Sequence, residues 1–420
     1  MSVLLAKRWG DGYIQGTGYS AYNWFFNISK RINDNHQLSL TAFGAPQTHN
    51  QRKPLYAGLS IEEWDKVAKW TGEKNKYRYN AVYGFDKNGK ERSSMTNTYH
   101  KPQISLNHQW QIDHKSSLST ALYMSIGRGS GYSGQGRTSA YRSMWNGSSN
   151  GQLLYNFRKE DGTFDYAAIQ DMNAASETGS NMIMSKSNNN HMWYGLLSTY
   201  TNEILPGLEL SAGVDVRYYV GEHTNEIIDL YDGAYFIDDA DRKNVKPENN
   251  IAALDPNWKN EKLTVGDIVY RDYDGHVHQE GVFAQLEYSH NKINAFVSGS
   301  VSNTGYWRVD NFYYDKEHAK SETLNFLGGT IKGGANYNID RHNNVFVNVG
   351  YISRAPFFSG GAFLSSKVSN ATNPDAINEK IASFEVGYGY HSPTFTAEIN
   401  AYFTEWMDKT ATRSGDITSG

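Results

Sequence analysis

The sequence predicts an all-β fold: an antiparallel transmembrane β-barrel, of which this chain carries a part, with long extracellular loops. Three observations predict it. Apolar and polar residues alternate with period two through stretches of about ten residues, the length of a tilted membrane-crossing strand. Short turns and long loops alternate between those stretches. No stretch approaches the roughly 18 consecutive apolar residues that a membrane-spanning helix needs.

The alternation is clearest from Leu208 to Val220. There Leu208, Leu210, Ala212, Val214, Val216, Tyr218 and Val220 interleave with Glu209, Ser211, Gly213, Asp215, Arg217 and Tyr219. Strands of soluble proteins are usually about 5–6 residues long, so a run of this length suits a membrane crossing. Earlier in the chain, Tyr22, Trp24, Phe26 and Ile28 alternate with Ala21, Asn23, Phe25 and Asn27. Ile104, Leu106, Trp110 and Ile112 alternate with polar residues, with His108 the one polar residue on the apolar side. Near the end, Phe395, Ala397, Ile399, Ala401 and Phe403 form a further apolar set. Weaker alternation covers 117–127, 191–203, 281–289, 293–302, 328–339, 345–352 and 380–390, and residues 2–7 read as the end of another strand. The expected total is about 12–13 strands.

Short polar turns fall at 33–36, 113–116, 205–207, 290–292, 340–344 and 391–393, with the Asn, Asp, Gly and Pro of hairpin turns. Longer segments lie at 45–98, 128–190, 221–279, 303–326 and 353–379. Short turns at one end and long loops at the other are the asymmetry of an outer-membrane barrel, whose short turns are periplasmic.

Composition narrows the function. The 420 residues include 30 tyrosines and 39 glycines but no cysteine, so neither disulfides nor a cysteine metal site is available. The formal net charge is -4 and no basic run stands out, which argues against a nucleic-acid partner.

Candidate chemistry is sparse. Gly129-Ser-Gly131-Tyr-Ser-Gly134 has the spacing of a dinucleotide fingerprint but no following amphipathic helix, so it reads as the start of a loop. Asp272, Asp274, His276 and His278 hold oxygen and imidazole ligands for a divalent cation, but a solvated loop edge before a strand is the stronger reading. Asp238, Asp239 and Asp241 miss the spacing of a calcium loop and read as surface charge. Ser60 and Glu63 cap a short helix within the first long loop, whose Trp64, Val67 and Trp70 pack that loop. No nucleophile–base pair, paired carboxylates or cofactor motif is recognisable, so no enzyme activity, resident metal or cofactor is expected. The loops are rich in aromatic residues: Tyr77, Tyr79, Tyr83, Tyr132, Trp145, Tyr231, Tyr235, Tyr306 and Trp307. Such residues stack on flat or sugar-like solutes and are the candidate ligand-binding set; aromatic girdles at a membrane interface are the competing account of those nearest strand ends.

A family resemblance rests on Gly350-Tyr-Ile-Ser-Arg354-Ala355-Pro356-Phe357-Phe358, which is similar to the strand-end signature of TonB-dependent outer-membrane receptors. Ser353 departs from the aromatic residue that precedes Arg-Ala-Pro in the family. Asn373 to Tyr388, with Ser383-Phe384-Glu385-Val-Gly387-Tyr388, resembles the next element, and Ala401-Tyr402-Phe403-Thr404-Glu405-Trp406 the strand after it. Arg8-Trp-Gly-Asp-Gly-Tyr13 and Tyr22-Asn-Trp-Phe-Phe-Asn27 resemble the Bacteroidetes branch. The resemblance implies a barrel of about 22 strands, energised import of a scarce solute (siderophore, cobalamin, oligosaccharide or peptide), and contact with outer-membrane lipid. It also implies a TonB complex acting through an N-terminal plug domain, and it allows a surface lipoprotein as a further partner. The plug and the C-terminal strands are not in this sequence. Met1 to Ala6 is too short an apolar core for an export signal, and 415–420 reads as a loop, so the chain is expected to be an internal part of a longer protein. A passive porin and a soluble secreted all-β carbohydrate-binding or hydrolytic domain are the rival readings.

Overall fold

The computed structural model describes residues 1–52, 58–243 and 255–410; the 415–420 run lies outside them. One antiparallel sheet dominates. Its fifteen strands are β1 (Ser2–Gly10), β2 (Tyr19–Arg31), β3 (His36–Gly44), β4 (Gln47–Asn50), β5 (Thr96–His100), β6 (Gln103–Gln111), β7 (Ser116–Gly136) and β8 (Met182–Leu205). They continue with β9 (Leu208–Asp229), β10 (Ile268–His290), β11 (Ile293–Asp310), β12 (Leu324–Asn338), β13 (Asn343–Arg354), β14 (Glu379–His391) and β15 (Thr396–Met407). Two lanes are interrupted. β3 and β4 both pair with β2, and β5 and β6 both pair with β7, with Pro46 and Pro102 in the breaks, where a missing N–H cannot serve the ladder.

Each lane pairs with the next in sequence, so consecutive hairpins put every short turn at one end and every long loop at the other, as the turn pattern predicts. Asp113 and Asp340 tighten two of these turns, each carboxylate accepting backbone N–H bonds from residues two and three positions on.

Register carries the apolar positions from strand to strand. Leu106, Leu122, Leu196 and Val216 are successive partners across four strands. Ala212, Ala284, Gly299, Ile331 and Tyr351 continue such a row across five. By this register Tyr22, Ile104, Leu210 and Phe395 share one face, as the alternation requires. The face is solvent-accessible: Leu122, Val214, Val282, Val301 and Ile331 are each 40–61 % exposed. A water-soluble sheet buries such a row; this one presents it to its surroundings. His108 is no isolated blemish on it, because its ring stacks on His36 at 5.2 Å and His36 stacks on Trp110.

The large strands run much further toward the loop end than the alternation shows. Segments 128–136, 182–190, 221–229 and 268–279, expected in loops, are strand. Gly129 to Gly134 therefore lies inside β7, and Asp272, Asp274, His276 and His278 lie inside β10 rather than on a loop edge. Both corrections have one cause. Beyond Val220 the outer positions become polar (Glu222, Thr224, Glu226), so the two faces no longer differ in polarity although the backbone ladder continues.

Candidate functional site: the loop cap and the polar face

The loops over β7–β10 fold into a cap with cores of its own. Helix α1 (Ile61–Thr71) starts at Ser60, whose Oγ accepts the Glu63 N–H at 3.3 Å, and its Val67 packs with Tyr79 and Leu153 against Trp64 and Trp70. Gly84–Phe85 of the first loop pairs in parallel with Phe164–Asp165 of the second. Helices α2 (Ser139–Met144) and α3 (Tyr166–Ala174) close the second core, where Trp145, Phe164, Tyr166 and Tyr231 meet at centroid distances of 5.0–6.3 Å. The buried Trp145 indole N–H donates to the Gln135 carbonyl at 2.9 Å, so its one polar atom is satisfied.

The aromatic candidates therefore divide. Tyr79, Trp145, Tyr231 and Tyr306 are 1–8 % exposed and are packing residues of the cap and its margin, not a stacking surface for a solute. Tyr79 donates its hydroxyl to the Gly162 carbonyl, and burial pushes its phenol up to about 12. Tyr306 donates to the Pro356 carbonyl at 3.1 Å. Tyr132, Tyr306 and Trp307 are strand residues rather than loop residues. Trp307 belongs to the apolar face, where it stacks on His276 at 4.9 Å and on Tyr218 at 5.9 Å, with Tyr194 beyond. Tyr77 is 60 % exposed, and Tyr83 and Tyr235 are half-buried, so these three and Tyr132 keep accessible rings.

The acidic run is also corrected. Asp238 is fully buried; its carboxylate accepts the N–H groups of Asp241 and Tyr270, both at 3.2 Å. Asp241 pairs with Arg142 and Asp239 with Arg137 at 2.6 Å. These pairs tie the 230–243 loop to the segment that starts α2. Among the described residues no three His, Asp or Glu side chains group as a metal site.

The polar face holds a ladder that the loop reading missed. Arg217 lies over the Trp193 ring at 5.7 Å and donates from Nε to Gln279 at 3.0 Å, while Tyr123 meets Trp193 edge-on at 5.4 Å. Two residues further along, Tyr219 stacks on His191, which bonds Ser125 at 3.0 Å. Higher again His223 stacks on Tyr273 at 4.8 Å, and Arg308 lies over that ring at 4.4 Å. Arg308 is buried; it donates at 2.6 Å to Asp310, to Asn370 and to the Ser366 carbonyl, so it anchors the 355–378 loop over the ladder. The signal was present in sequence, since these residues occupy the polar set of the same alternation that marks the strands. What adds them up is register, which one strand alone does not show.

The signature residues serve two places. Arg354 and Glu379 are register partners at the mouth of the 355–378 loop and form an ion pair at 2.6 Å; the guanidinium also sits over Phe357 and Trp406. Glu385 lies on the polar face, accepting from Asn348 and Asn400 on the two adjacent strands. The Phe346 ring lies flat over Gly387, where any Cβ would fall 2.3 Å from it. Tyr388 is on the apolar face, its hydroxyl bonded to Asn343, and Ala355 packs beside Ala362 and Phe363.

Neither a family model nor a curated protein matches the sequence. Solved structures do match in fold. The ferric citrate transporter FecA, unliganded, superposes with a TM-score of 0.60 at 10% identity, covering 96% of this chain and 46% of that one. The copper transporter OprC gives 0.58 at 10%, covering 95% and 48%. The closed form of the ferric-catecholate import receptor Fiu from E. coli K12 gives 0.55 at 11%, covering 97% and 54%. This chain thus spans about half the length of these structures, and its large antiparallel sheet resembles the barrels of outer-membrane transporters.

Proposed function

We propose that the chain is part of the barrel of a TonB-dependent outer-membrane receptor that imports a scarce solute, with the apolar face against lipid and the polar face lining the lumen. The observation that carries this is the apolar face: it runs through register across the strands, stays solvent-accessible, and ends in aromatic clusters at Trp307 and Trp110. In lipid only a closed set of strands satisfies every backbone group, so this sheet and further strands would together complete the wall. The loop end is then extracellular, the cap is the solute's first contact, and the Trp193–Arg217–Tyr273 ladder lines its path. Energy would come from the inner membrane through a plug inside the barrel. The neighbours in fold carry ferric citrate, copper and ferric catecholates by their descriptions, and a siderophore, cobalamin, an oligosaccharide and a peptide all suit the mixture of rings, amides and arginine here.

Because the sequence lacks cysteine, single cysteines placed at Lys74 in the cap and at Asn291 in a short turn report topology cleanly. An impermeant maleimide on intact cells should label Lys74→Cys, and label Asn291→Cys only after the outer membrane is opened. Equal labelling of both, or recovery of the protein in the soluble fraction, would rule the reading out.

A further inference from the structure

The cap holds a recess of about 340 Å³ that shares no residue with the lumen ladder or with the ring core at Trp145. Four loop-end segments converge on it. They are the β1–β2 connection through Gln15, the last turn of α1 through Trp70, the single 3-10 turn Lys76–Arg78 with Asn75 before it, and the turn at Asp161 and Gly162. Tyr79 and Gly162 are its buried floor, joined by the bond from the Tyr79 hydroxyl to the Gly162 carbonyl at 2.8 Å. Trp70 tilts against Tyr79 at 6.1 Å and packs over Gly162, whose φ of +84° and missing Cβ let the indole approach. Tyr83 is the third ring. Gln15 is held in place, donating its N–H to the Arg78 carbonyl at 2.8 Å and accepting the Asn80 N–H at its Oε1 at 3.3 Å. Asn75, Arg78 and Asp161 form an exposed rim. The Thr163 hydroxyl and N–H, at 2.6 and 2.9 Å from Asp161 Oδ1, hold that carboxyl below its usual range. Neither the second Asp161 oxygen, nor the Asn75 amide, nor the Tyr83 hydroxyl bonds a described residue, so all three are open to a ligand.

Size, charge and lining discriminate among solutes. The volume is at the low end of small-molecule sites, about 300–1,000 Å³, and excludes a corrinoid. A multiply anionic iron chelate needs a surplus of cations; here Arg78 is offset by Asp161, and its Nε is committed to the Tyr13 carbonyl at 2.8 Å. No aliphatic side chain lines the recess, so the apolar side chains of a peptide find no matching pocket. What remains is rings beside amides and a carboxylate. A pyranose has that complement: its C–H face packs on an aromatic ring, and each hydroxyl both donates and accepts. We propose that this recess binds one or two units of an uncharged saccharide, with sugar rings against Trp70 and Tyr83 and hydroxyls on Gln15, Asn75 and Asp161. This rests on the receptor reading above and selects the saccharide among the solutes named there.

The test applies the full-length protein, extracted in detergent, to an array of uncharged oligosaccharides printed beside their sulfated and uronic-acid counterparts. Calorimetry then gives the affinity for the best retained uncharged member. The expected result is retention of uncharged members in preference to charged ones. Asp161→Asn, which keeps an acceptor for Thr163, should weaken binding about tenfold, the effect of losing one hydrogen bond to a charged group. Asn75→Ala should weaken it several-fold. Both residues are exposed and outside the Val67–Tyr79–Leu153 core, so hydrogen-exchange protection of 61–71 should stay unchanged and separates lost binding from lost folding. Trp70→Ala should abolish retention, but it also opens that core, so the two rim variants decide. An array that retains no uncharged member, or prefers charged ones, overturns the proposal, as does an affinity that both rim variants leave unchanged. External maleimide labelling of Lys74→Cys in the same protein keeps the two readings apart. Labelling without saccharide retention overturns the saccharide site alone, whereas Lys74→Cys shielded in intact cells overturns the receptor reading.

Discussion

Val214→Arg is the most direct probe of which face meets lipid. Val214 stands on β9 between register partners Ser198 and Val282, on the apolar face. From Leu210 to Val220 that face rises about 33 Å along the strand at ~3.3 Å per residue, or about 25 Å along the membrane normal for a tilt near 40°. This equals the height of the apolar band of an outer-membrane barrel, and it puts Val214 within about 3 Å of the midplane. An arginine there should cost about 2–4 kcal/mol, roughly two orders of magnitude in the folding equilibrium at mid-range. Ser211, three residues away, faces the other side, where its hydroxyl meets Thr201 at 3.2 Å and where Asp215 and Arg217 already carry charge. Ser211→Arg should cost under about 1 kcal/mol. Urea titration of the intact barrel in lipid vesicles, with both variants side by side, measures the difference. Equal losses at the two positions would mean that β9 is not a membrane crossing, and a larger loss at Ser211 would invert the faces.

Other perturbations separate the cap from the wall. Trp145→Ala empties the centre of the Phe164–Tyr166–Tyr231 core and should destabilise the cap by about 3–5 kcal/mol, read as lost hydrogen-exchange protection in 139–174 with the wall strands unchanged. Arg354→Ala leaves Glu379, which is buried, without its cation; because Arg354 is itself about half exposed, about 1–2 kcal/mol is expected, with faster proteolysis of 355–378 as the readout. Gly387→Ala forces the Phe346 ring off the strand and should cost about 1–3 kcal/mol, whereas pairing it with Phe346→Leu should recover part of that loss. Burial, and after it the neighbouring Asp241, push Asp238 up to about 7 despite Arg142 and Arg242 nearby. The folded cap therefore binds a proton that the unfolded chain releases near pH 4, and cap stability should fall as pH rises from about 4 to about 7 and level off above. Exchange protection of 230–243 that rises with pH in this window would contradict the assignment.

What the sequence discloses depends on whether the two faces of a strand differ. At Leu208 to Val220 one set is apolar and the other polar, and both strand and face follow from alternation alone. Beyond Val220 the sets become Glu222, Thr224 and Glu226 against Gly221, His223 and Asn225, and the same rule reads a loop where the ladder continues for nine more residues. Trp145 and Tyr231 lie in loops by sequence and look like free ring surfaces, yet each is covered by residues more than fifteen positions away. Asp238 looks like surface charge for the same reason. Composition of a segment says that rings and acids are present; only the fold says which neighbours cover them.

The strand extensions explain how the cap can be an ordered platform. A loop of some forty residues pays an entropic cost to order that its own side chains seldom repay. Here Met182 and Met184, at the start of β8, supply the floor of the second core, and Ile183 faces the other way into a third core with Ile227, Phe236, Leu263 and Val269. The alternation of a strand thus serves two separate cores, one on each side of the same ladder. Asn173 at the end of α3 fastens the helix to that strand, donating to the Met182 and Leu230 carbonyls and accepting from the Asn181 and Met182 N–H groups. The loops are therefore ordered by the wall that carries them. Under the proposed receptor reading, a solute at these loops would meet a prearranged layer, with the ordering cost already met in folding.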